Sequence, residues 1–568
     1  MLKTRTMTKA RIYFHEKYAD DVFLKVAETG TLHQTDVLES LEGLEPQIKP
    51  VEPSEKFFRV TSLISRMQAV ISNLPLTPMR TPKVDLRILT GEEIETIDRE
   101  FSSVEQVYSS TTSLLTDAEE DKQAQVKEEL SKLSRDYEEK LLSWSRQLEI
   151  TRVVEEAKSK GARTSRTYVI EGWIPAERKN DFEEAVRQGA EGYCANLYLS
   201  PSMGGGHGHA DVKPPPTLIR NPRMAYVYEK LVTGFGFPNY FEIDPTIFMV
   251  ISFPIIFGLM FGDVGHGLIL LACSLLLLVV NKRGVRAPEL LEYMIRGSPL
   301  LVMCSISAVF FGFLYGEMFG SEEFYHVVDE TLHGALGISI HDVIKSASHG
   351  LENSLSQIAG FSVPVPFPFS PFSNPRLLLL VSLYVAMIQI TFGLLLGMIN
   401  EFRKRNYVEA IIGPGIWLWF YCSFAYLILK YKAGIFVVIF QNPNILGLYI
   451  ALPAAVMVLA RTAIHGIDGF GHSLESLISS LSNSISYGRI LALAIAHAAF
   501  SKILLMMLEF GGVMAIVGIM MWAVFTFLLI LCFEGLLSFI HTLRLHWVEW
   551  FLKFYVGDGY EYKPLRLS

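Results

Sequence analysis

Two apolar stretches near the end of this 568-residue chain each carry an arginine. The first holds Glu475, Arg489 and His497; the second holds Glu534, His541, Arg544 and His546. Arginine stays protonated at physiological pH, and placing it in hydrocarbon costs from ~3 to over ~10 kcal/mol, so each demands a negative partner or water. Glu475 and Arg489 are fourteen residues apart. At about 100° and 1.5 Å per residue that sets them on nearly one helix face, about 21 Å apart, too far to pair with each other. In the second stretch Glu534 and His541 share a face and Arg544 follows His541 by one turn. Two polar stripes on apolar helices describe a hydrated path for an ion with fixed positive charge partway along it. The competing reading is a set of buried ion pairs inside a helix bundle.

The elements that hold these residues are long apolar runs, near 245–262, 264–281, 297–319, 376–400, 410–430, 444–461, 473–508 and 512–545. Against the ~20 residues that a perpendicular helix needs, they read as eight membrane spans, the last two long enough to tilt. Lys282, Arg283, Arg286 and Arg296 follow the second span, Arg403, Lys404 and Arg405 the fourth, and Arg461 the sixth, so those loops are expected on the cytoplasmic side. Lys430 and Lys432, after the fifth, run against that assignment. The acid-rich loop from Ser321 to Pro375 suits the outside. An even number of spans puts both termini in the cytoplasm of a multi-pass cell-membrane protein. Asp263, His266 and Glu317 fall near the outer ends of their spans, where they line an outer aqueous mouth or mark close glycine-mediated helix packing.

Half the residues are apolar and mean hydropathy is positive, yet most of the Asp, Glu, Lys and Arg lie before residue 240. A charged, soluble half therefore precedes a membrane half. The net charge of -8 gives no reason to expect nucleic acid. Five scattered cysteines, Cys194, Cys273, Cys304, Cys422 and Cys532, form neither a disulfide framework nor a Cys-based metal site. With no signal-peptide-like apolar core before Lys25, the N-terminus is expected to stay in the cytoplasm.

Residues 1–200 read as a cytoplasmic α/β lobe with a coiled-coil arm. Arg11 to Phe14 and Thr167 to Ile170 are expected strands, each followed by an amphipathic helix. Val60, Leu63, Ile64, Met67, Val70 and Ile71 keep helical spacing, and Val126, Leu130, Leu133, Tyr137, Leu141, Trp144 and Leu148 form a narrow heptad stripe. Together they predict an antiparallel helical hairpin, with a plain helical bundle as the alternative. Thr90 and Glu93 form a capping box. Residues 201–244 read as a linker, in which His207, His209 and Asp211 make at best a weak metal site, and residues 245–568 as the membrane domain.

Several motifs carry a family resemblance. Ser486-Tyr487-Gly488-Arg489-Ile490-Leu491-Ala492-Leu493 with Ala496-His497-Ala498, and Glu534-Gly535 with His541-Thr542-Leu543-Arg544-Leu545-His546-Trp547-Val548-Glu549, resemble the two signature helices of the membrane stator subunit of A/V-type rotary ATPases, called subunit a or subunit I. Phe261-Gly262-Asp263-Val264-Gly265-His266-Gly267, Tyr315-Gly316-Glu317-Met318-Phe319-Gly320, Gly172-Trp173-Ile174-Pro175 and the tail from Lys553 to Tyr560 are similar to the same family.

The resemblance implies a subunit that sits beside a rotating ring of small membrane subunits bearing carboxylates. Arg489 and Arg544 are then expected to favour the ionised form of a passing ring carboxylate, with Glu475, Glu534, His497, His541 and His546 as hydrated relay groups. Other implied partners are peripheral stalks, a central-stalk cap and a catalytic ATPase sector. The short soluble half resembles prokaryotic members, and the span from Leu76 to Glu120 leaves little room for the family's distal lobe. No Gly-x-x-x-x-Gly-Lys-Ser/Thr loop is present, so the chain is expected to be non-catalytic and to need no cofactor. The rival expectations are a self-contained ion-coupled secondary transporter, which calls for paired carboxylates and an internal repeat, and a membrane-anchored scaffold, which leaves the two arginines unexplained.

Overall fold

A computed structural model describes residues 5–37, 49–74, 84–116, 120–164, 166–199, 214–284, 288–336, 339–359, 369–431, 441–506 and 514–567. His207, His209 and Asp211 lie outside the described residues. The chain is mostly helical, with one small sheet near its N-terminus, and its described residues divide into two compact units, one within Arg5–Leu218 and Tyr560–Ser568, the other within Ile219–Gly559.

The first unit is built on a six-stranded sheet. Strand β1 (Met7–His15) alternates buried and partly exposed residues, as a strand with one covered face must. The other strands are β2 (His33–Thr35), β3 (Lys49–Pro50), β4 (Ala162–Arg163), β5 (Thr167–Pro175) and β6 (Cys194–Leu199). The order is β3-β4-β5-β1-β6, with β2 also on β5. β1 runs antiparallel to β5, with Met7 opposite Pro175 and His15 opposite Thr167. That register faces Arg11 to Glu171, whose fully buried carboxylate is neutralised by Arg11 and Lys9. Helices α1 (Ala19–Thr29) and α5 (Lys179–Gly189) bury Val22, Phe23, Val26, Phe182 and Val186 against Ile12, Ile170 and Ile174. The two helices pack tightly at Gly189, where a Cβ would lie 2.7 Å from the Val22 Cα. Strand, helix and strand from either end of the soluble half thus close one lobe.

The last residues belong to this unit, a feature absent from the sequence reading. The amides of Leu565 and Leu567 donate to the carbonyls of Leu32 (2.7 Å) and Ala27 (3.2 Å), and the Tyr562 hydroxyl donates to Thr31 O. His33 packs against the Tyr560 and Tyr562 rings, its Nδ1 2.9 Å from the Lys563 amide. Burial pulls the His33 imidazole below its usual pKa, against a smaller opposing effect of its bond to the Lys563 backbone.

Three further helices of this unit pack together: α2 (Glu55–Asn73), α3 (Gly91–Thr116) and α4 (Glu120–Ser159). Thr90 and Glu93 make the expected capping box, the Thr90 amide donating to Glu93 Oε2 at 2.8 Å. Val60, Leu63, Ile64 and Met67 of α2 meet Leu141 and Leu148 of α4, but Ile94, Ile97 and Phe101 of α3 share the same core. Arg66 pins α2 to α3 through Asp98 and Glu105. The described part is therefore a three-helix pack, because α3 carries its own apolar stripe for α4 to cover. The side chains of Val126, Leu130 and Leu133 lie outside the described residues.

Among the described residues of the second unit, six helical runs are long and apolar enough to cross a membrane: α7 (Val264–Arg283), α8 (Ser298–Tyr315), α9 (Pro375–Arg403), α10 (Tyr407–Tyr431), α11 (Pro443–Met506) and α12 (Ile516–Lys553). A shorter apolar helix, α6 (Thr246–Met260), precedes them. The chain is a multi-pass membrane protein. α11 is 64 residues long, about 96 Å at 1.5 Å per residue and so far beyond one crossing. It breaks at Gly466, whose φ of 63° and ψ of -135° take the backbone out of the helix. Arg461 holds this bend together, donating to the carbonyls of Ile412 (3.2 Å), Gly413 (2.7 Å) and His472 (3.2 Å) and to Ser476 Oγ (2.7 Å). Expected in a loop after the sixth span, Arg461 is instead buried within α11, its donors taken by two carbonyls of α10 and by His472 and Ser476 beyond the bend.

Candidate functional site

α11 and α12 run antiparallel, and three polar contacts set their register. Lys553 Nζ donates to Ser479 Oγ at 2.8 Å, Arg489 Nη1 to Glu549 Oε1 at 3.0 Å, and His497 Nδ1 meets Glu534 Oε2 at 3.1 Å. Glu549 was not singled out as a site residue by sequence reasoning, although it closes the second motif. Leu545–Trp550 is a π-helix, and within it Glu549 meets Arg489. Thr526–Glu534 is π-helical too, and delivers Glu534 to His497.

Near one end of this ladder lies a closed polar cluster. The Asp263 carboxylate caps α7: Oδ1 accepts from the amides of His266 (2.9 Å) and Phe319 (3.0 Å), and Oδ2 from that of Gly320 (2.8 Å). His266 Nδ1 stands 3.2 Å from Asp263 Oδ1, and its ring lies 5.3 Å from that of His497. Glu317 accepts from the Ser370 hydroxyl. Gly265 permits this closure, since a Cβ there would sit 2.6 Å from the Phe319 ring. Asp263, His266 and Glu317, read from sequence as one group, thus meet His497 and Glu534 in space.

At the other end, a polar cavity of 690 Å³ is lined by Glu475, His472, Ser476, Ser479, Asn483 and Lys553, among others. Glu475 faces it with 78% of its side chain exposed, 3.6 Å from His472. Arg489 sits between the two regions, eight residues before His497 and fourteen after Glu475.

The remaining sequence candidates fall differently. His541 is half-buried within electrostatic reach of both arginines, its Nδ1 without a partner. Arg544 is exposed. His546 is fully buried in an aromatic pocket, Nε2 on Ser252 Oγ and Nδ1 on Thr542 O, both at 2.7 Å, and the structure does not join it to Arg489.

Fold and site together define a helical membrane protein with ionisable groups spaced along one antiparallel helix pair. Residues 90–325 and 464–567 match the V-type ATPase 116kDa subunit family, and the chain belongs to that family. It is 24% identical over 500 residues to the A-type ATP synthase subunit I of Methanocaldococcus jannaschii, covering 86% of this chain and 66% of the relative. To the V-type proton ATPase 116 kDa subunit a 2 of Homo sapiens it is 25% identical over 536 residues, covering 71% and 61%. The subunit I of Methanothermobacter thermautotrophicus is 26% identical over 486 residues, covering 85% and 64%. The chain spans just under two thirds of the length of these relatives.

Proposed function

We propose that this chain is the ion-translocating stator subunit of the membrane sector of an A/V-type rotary ATPase. It forms two aqueous half-channels against a rotating ring of small subunits with membrane carboxylates, and couples proton or sodium movement to ATP hydrolysis or synthesis elsewhere in the complex. The observation that carries this reading is the order on α11: Glu475 in the polar cavity, Arg489 midway, and His497 in the closed cluster. Arg489 then acts as the barrier. It takes a passing ring carboxylate in its charged form and blocks direct passage between the two half-channels. Arg544 assists, His541 lies beside both, and Asp263, His266, Glu317, His497 and Glu534 line the outer half-channel. His546, satisfied at both nitrogens, anchors α12 to α6.

Eight crossings follow if α6 counts as one and the break at Gly466 divides α11 into two. The strands of backbone around Thr217 and Tyr560 support an even number: the Thr217 amide donates to Tyr560 O (2.9 Å) and the Tyr562 amide to Thr217 O (3.2 Å), so the chain before the first span and after the last lies on one side. We assign that side to the cytoplasm. Residues 1–200 serve as lobe and coiled-coil arm, 201–244 as linker and 245–568 as membrane domain; the arm takes up torque through peripheral stalks. The chain itself is non-catalytic. The relatives' names speak for a complex subunit and not for a self-contained transporter.

Side-specific thiol labelling tests the two half-channels. In a cysteine-free background, Ser479→Cys should react with an impermeant thiol reagent only from the side bearing the soluble unit, and Ser501→Cys with silver ion only from the other. Labelling of both from one side would overturn the reading.

A further inference from the structure

One ligand atom from each of Asp263, His266 and His497 lies within 4.8 Å of the other two, the one such grouping of His, Cys, Asp or Glu among the described residues. The three side chains are 0, 1 and 2% exposed. Two of their ring nitrogens, His266 Nδ1 and His497 Nε2, are buried without a hydrogen-bond partner. His266 Nδ1 stands 3.2 Å from Asp263 Oδ1, an ion-pair contact without the alignment of a hydrogen bond. Buried imidazole nitrogens left bare carry the full cost of their lost hydration, and native structures rarely leave two together without a ligand to take them.

We propose that Asp263, His266 and His497 form a binding site for a divalent transition-metal ion of the imidazole-preferring class, with Zn²⁺ its best occupant. His497 is placed for this. Glu534 Oε2 stands 3.1 Å from His497 Nδ1 and can accept from it, which leaves Nε2, the ring nitrogen without a partner, as the atom that would meet a metal ion. A carboxylate behind a histidine is the usual support of a metal-bound imidazole. Asp263 is equally prepared. Three backbone amides hold its carboxylate rigid and use three of about four lone-pair positions, leaving one for a cation.

Two imidazoles and one carboxylate leave a fourth position for water, the open three-ligand set that suits Zn²⁺; Mg²⁺ and Ca²⁺ favour oxygen donors alone. Bonds of ~2 Å place tetrahedral donors about 3.3 Å apart, so the atoms, now within 4.8 Å, must close by roughly an ångström or more through small ring rotations. The ion needs neutral imidazoles, so it competes with protons, and its affinity falls with pH. On the reading of the cluster as the outer half-channel, an ion here immobilises His497 and blocks translocation; binding itself does not depend on that reading.

Cobalt(II) provides the probe, because tetrahedral Co²⁺ absorbs in the visible. The complex, purified without chelator, is titrated with Co²⁺ at neutral pH and left for hours, since the site is nearly closed to solvent. One Co²⁺ per chain with tetrahedral bands is expected, displaced by Zn²⁺ and unaffected by excess Mg²⁺. His266→Ala and His497→Ala should each weaken binding at least ~100-fold, and Glu534→Gln about 10- to 100-fold as a supporting group. Absence of stoichiometric binding, a cobalt–thiolate band from a cysteine, or binding indifferent to both histidine variants would overturn the proposal. Ion uptake is measured on the same samples. Zn²⁺ should inhibit it over the range in which it displaces Co²⁺; binding as expected with uptake undisturbed would overturn the placing of this cluster on the ion path and leave the metal site standing.

Discussion

Arg489 and Glu549 are partners across α11 and α12, 3.0 Å from Nη1 to Oε1. The carboxylate is 2% exposed and its second oxygen has no partner, while the guanidinium, 23% exposed, keeps donors to spare. On the proposed function, Glu549 is the resting counter-ion from which Arg489 turns to an incoming carboxylate. Breaking a buried pair from one side costs ~3–5 kcal/mol because a bare charge remains. Glu549→Gln should lower the melting temperature of the assembled complex, and Arg489→Gln/Glu549→Gln should recover most of that loss. The double variant should still fail to transport, which separates stability from function; a transporting double variant would contradict the assignment.

Glu475 and Glu534 should behave unequally. Water in the cavity can replace an exposed carboxylate, so Glu475→Gln is expected to retain uptake within about threefold. Glu534 is buried and orients His497, so Glu534→Gln should cost about tenfold, ~1.4 kcal/mol on the barrier. Initial rates of ATP-driven uptake, normalised to subunit content, decide this. Equal losses at both positions would contradict the difference in burial.

Much of the site was legible because charged residues on apolar helices are conspicuous and few. Arg489, His497 and Glu534 stood out on that ground. Glu549 was passed over although ordinary helical spacing sets it within about 60° of Glu534, because the spacing within one helix says nothing of the Arg489 partner on the other. Arg461 was legible only as a charge near a span end; its burial follows from the bend at Gly466, and one glycine among 42 gives no sign of a positive φ. The lobe was readable from strand and helix periods at both ends of the soluble half. The return of the last residues to it was not, because backbone bonds to Leu32 and Ala27 are independent of side-chain type.

The packing of α2, α3 and α4 is open to a direct check. Phe101 of α3 is fully buried among α2 and α4 residues. Phe101→Ala should destabilise the soluble unit by about 3–5 kcal/mol, read as a fall in its unfolding midpoint. A two-helix seam between α2 and α4 alone would leave the midpoint almost unchanged.

Docking of the C-terminal tail should depend on pH. His33 has a lowered pKa when docked, from burial first. The undocked state therefore binds more protons once pH falls below about 6.5, the ordinary histidine value, and docking weakens from there downward; above it there is no effect. Hydrogen exchange at Leu565 and Leu567, corrected for the intrinsic rate, should accelerate between pH 7.5 and 5.5. His33→Gln should abolish that dependence.

The account rests on Arg489 as a charge that no other side chain can supply. Lysine preserves the charge but can lose its proton in a desolvated site, and it lacks the planar fork that can hold Glu549 and meet a second carboxylate. The measurement is ATP-driven ion uptake into sealed vesicles by complexes carrying Arg489→Lys, with subunit content verified and Arg544→Lys alongside. Uptake by Arg489→Lys is predicted to fall to near background while Arg544→Lys, whose residue is exposed and unpaired with Glu549, retains a substantial fraction. Normal coupled uptake by assembled Arg489→Lys complexes would contradict the account.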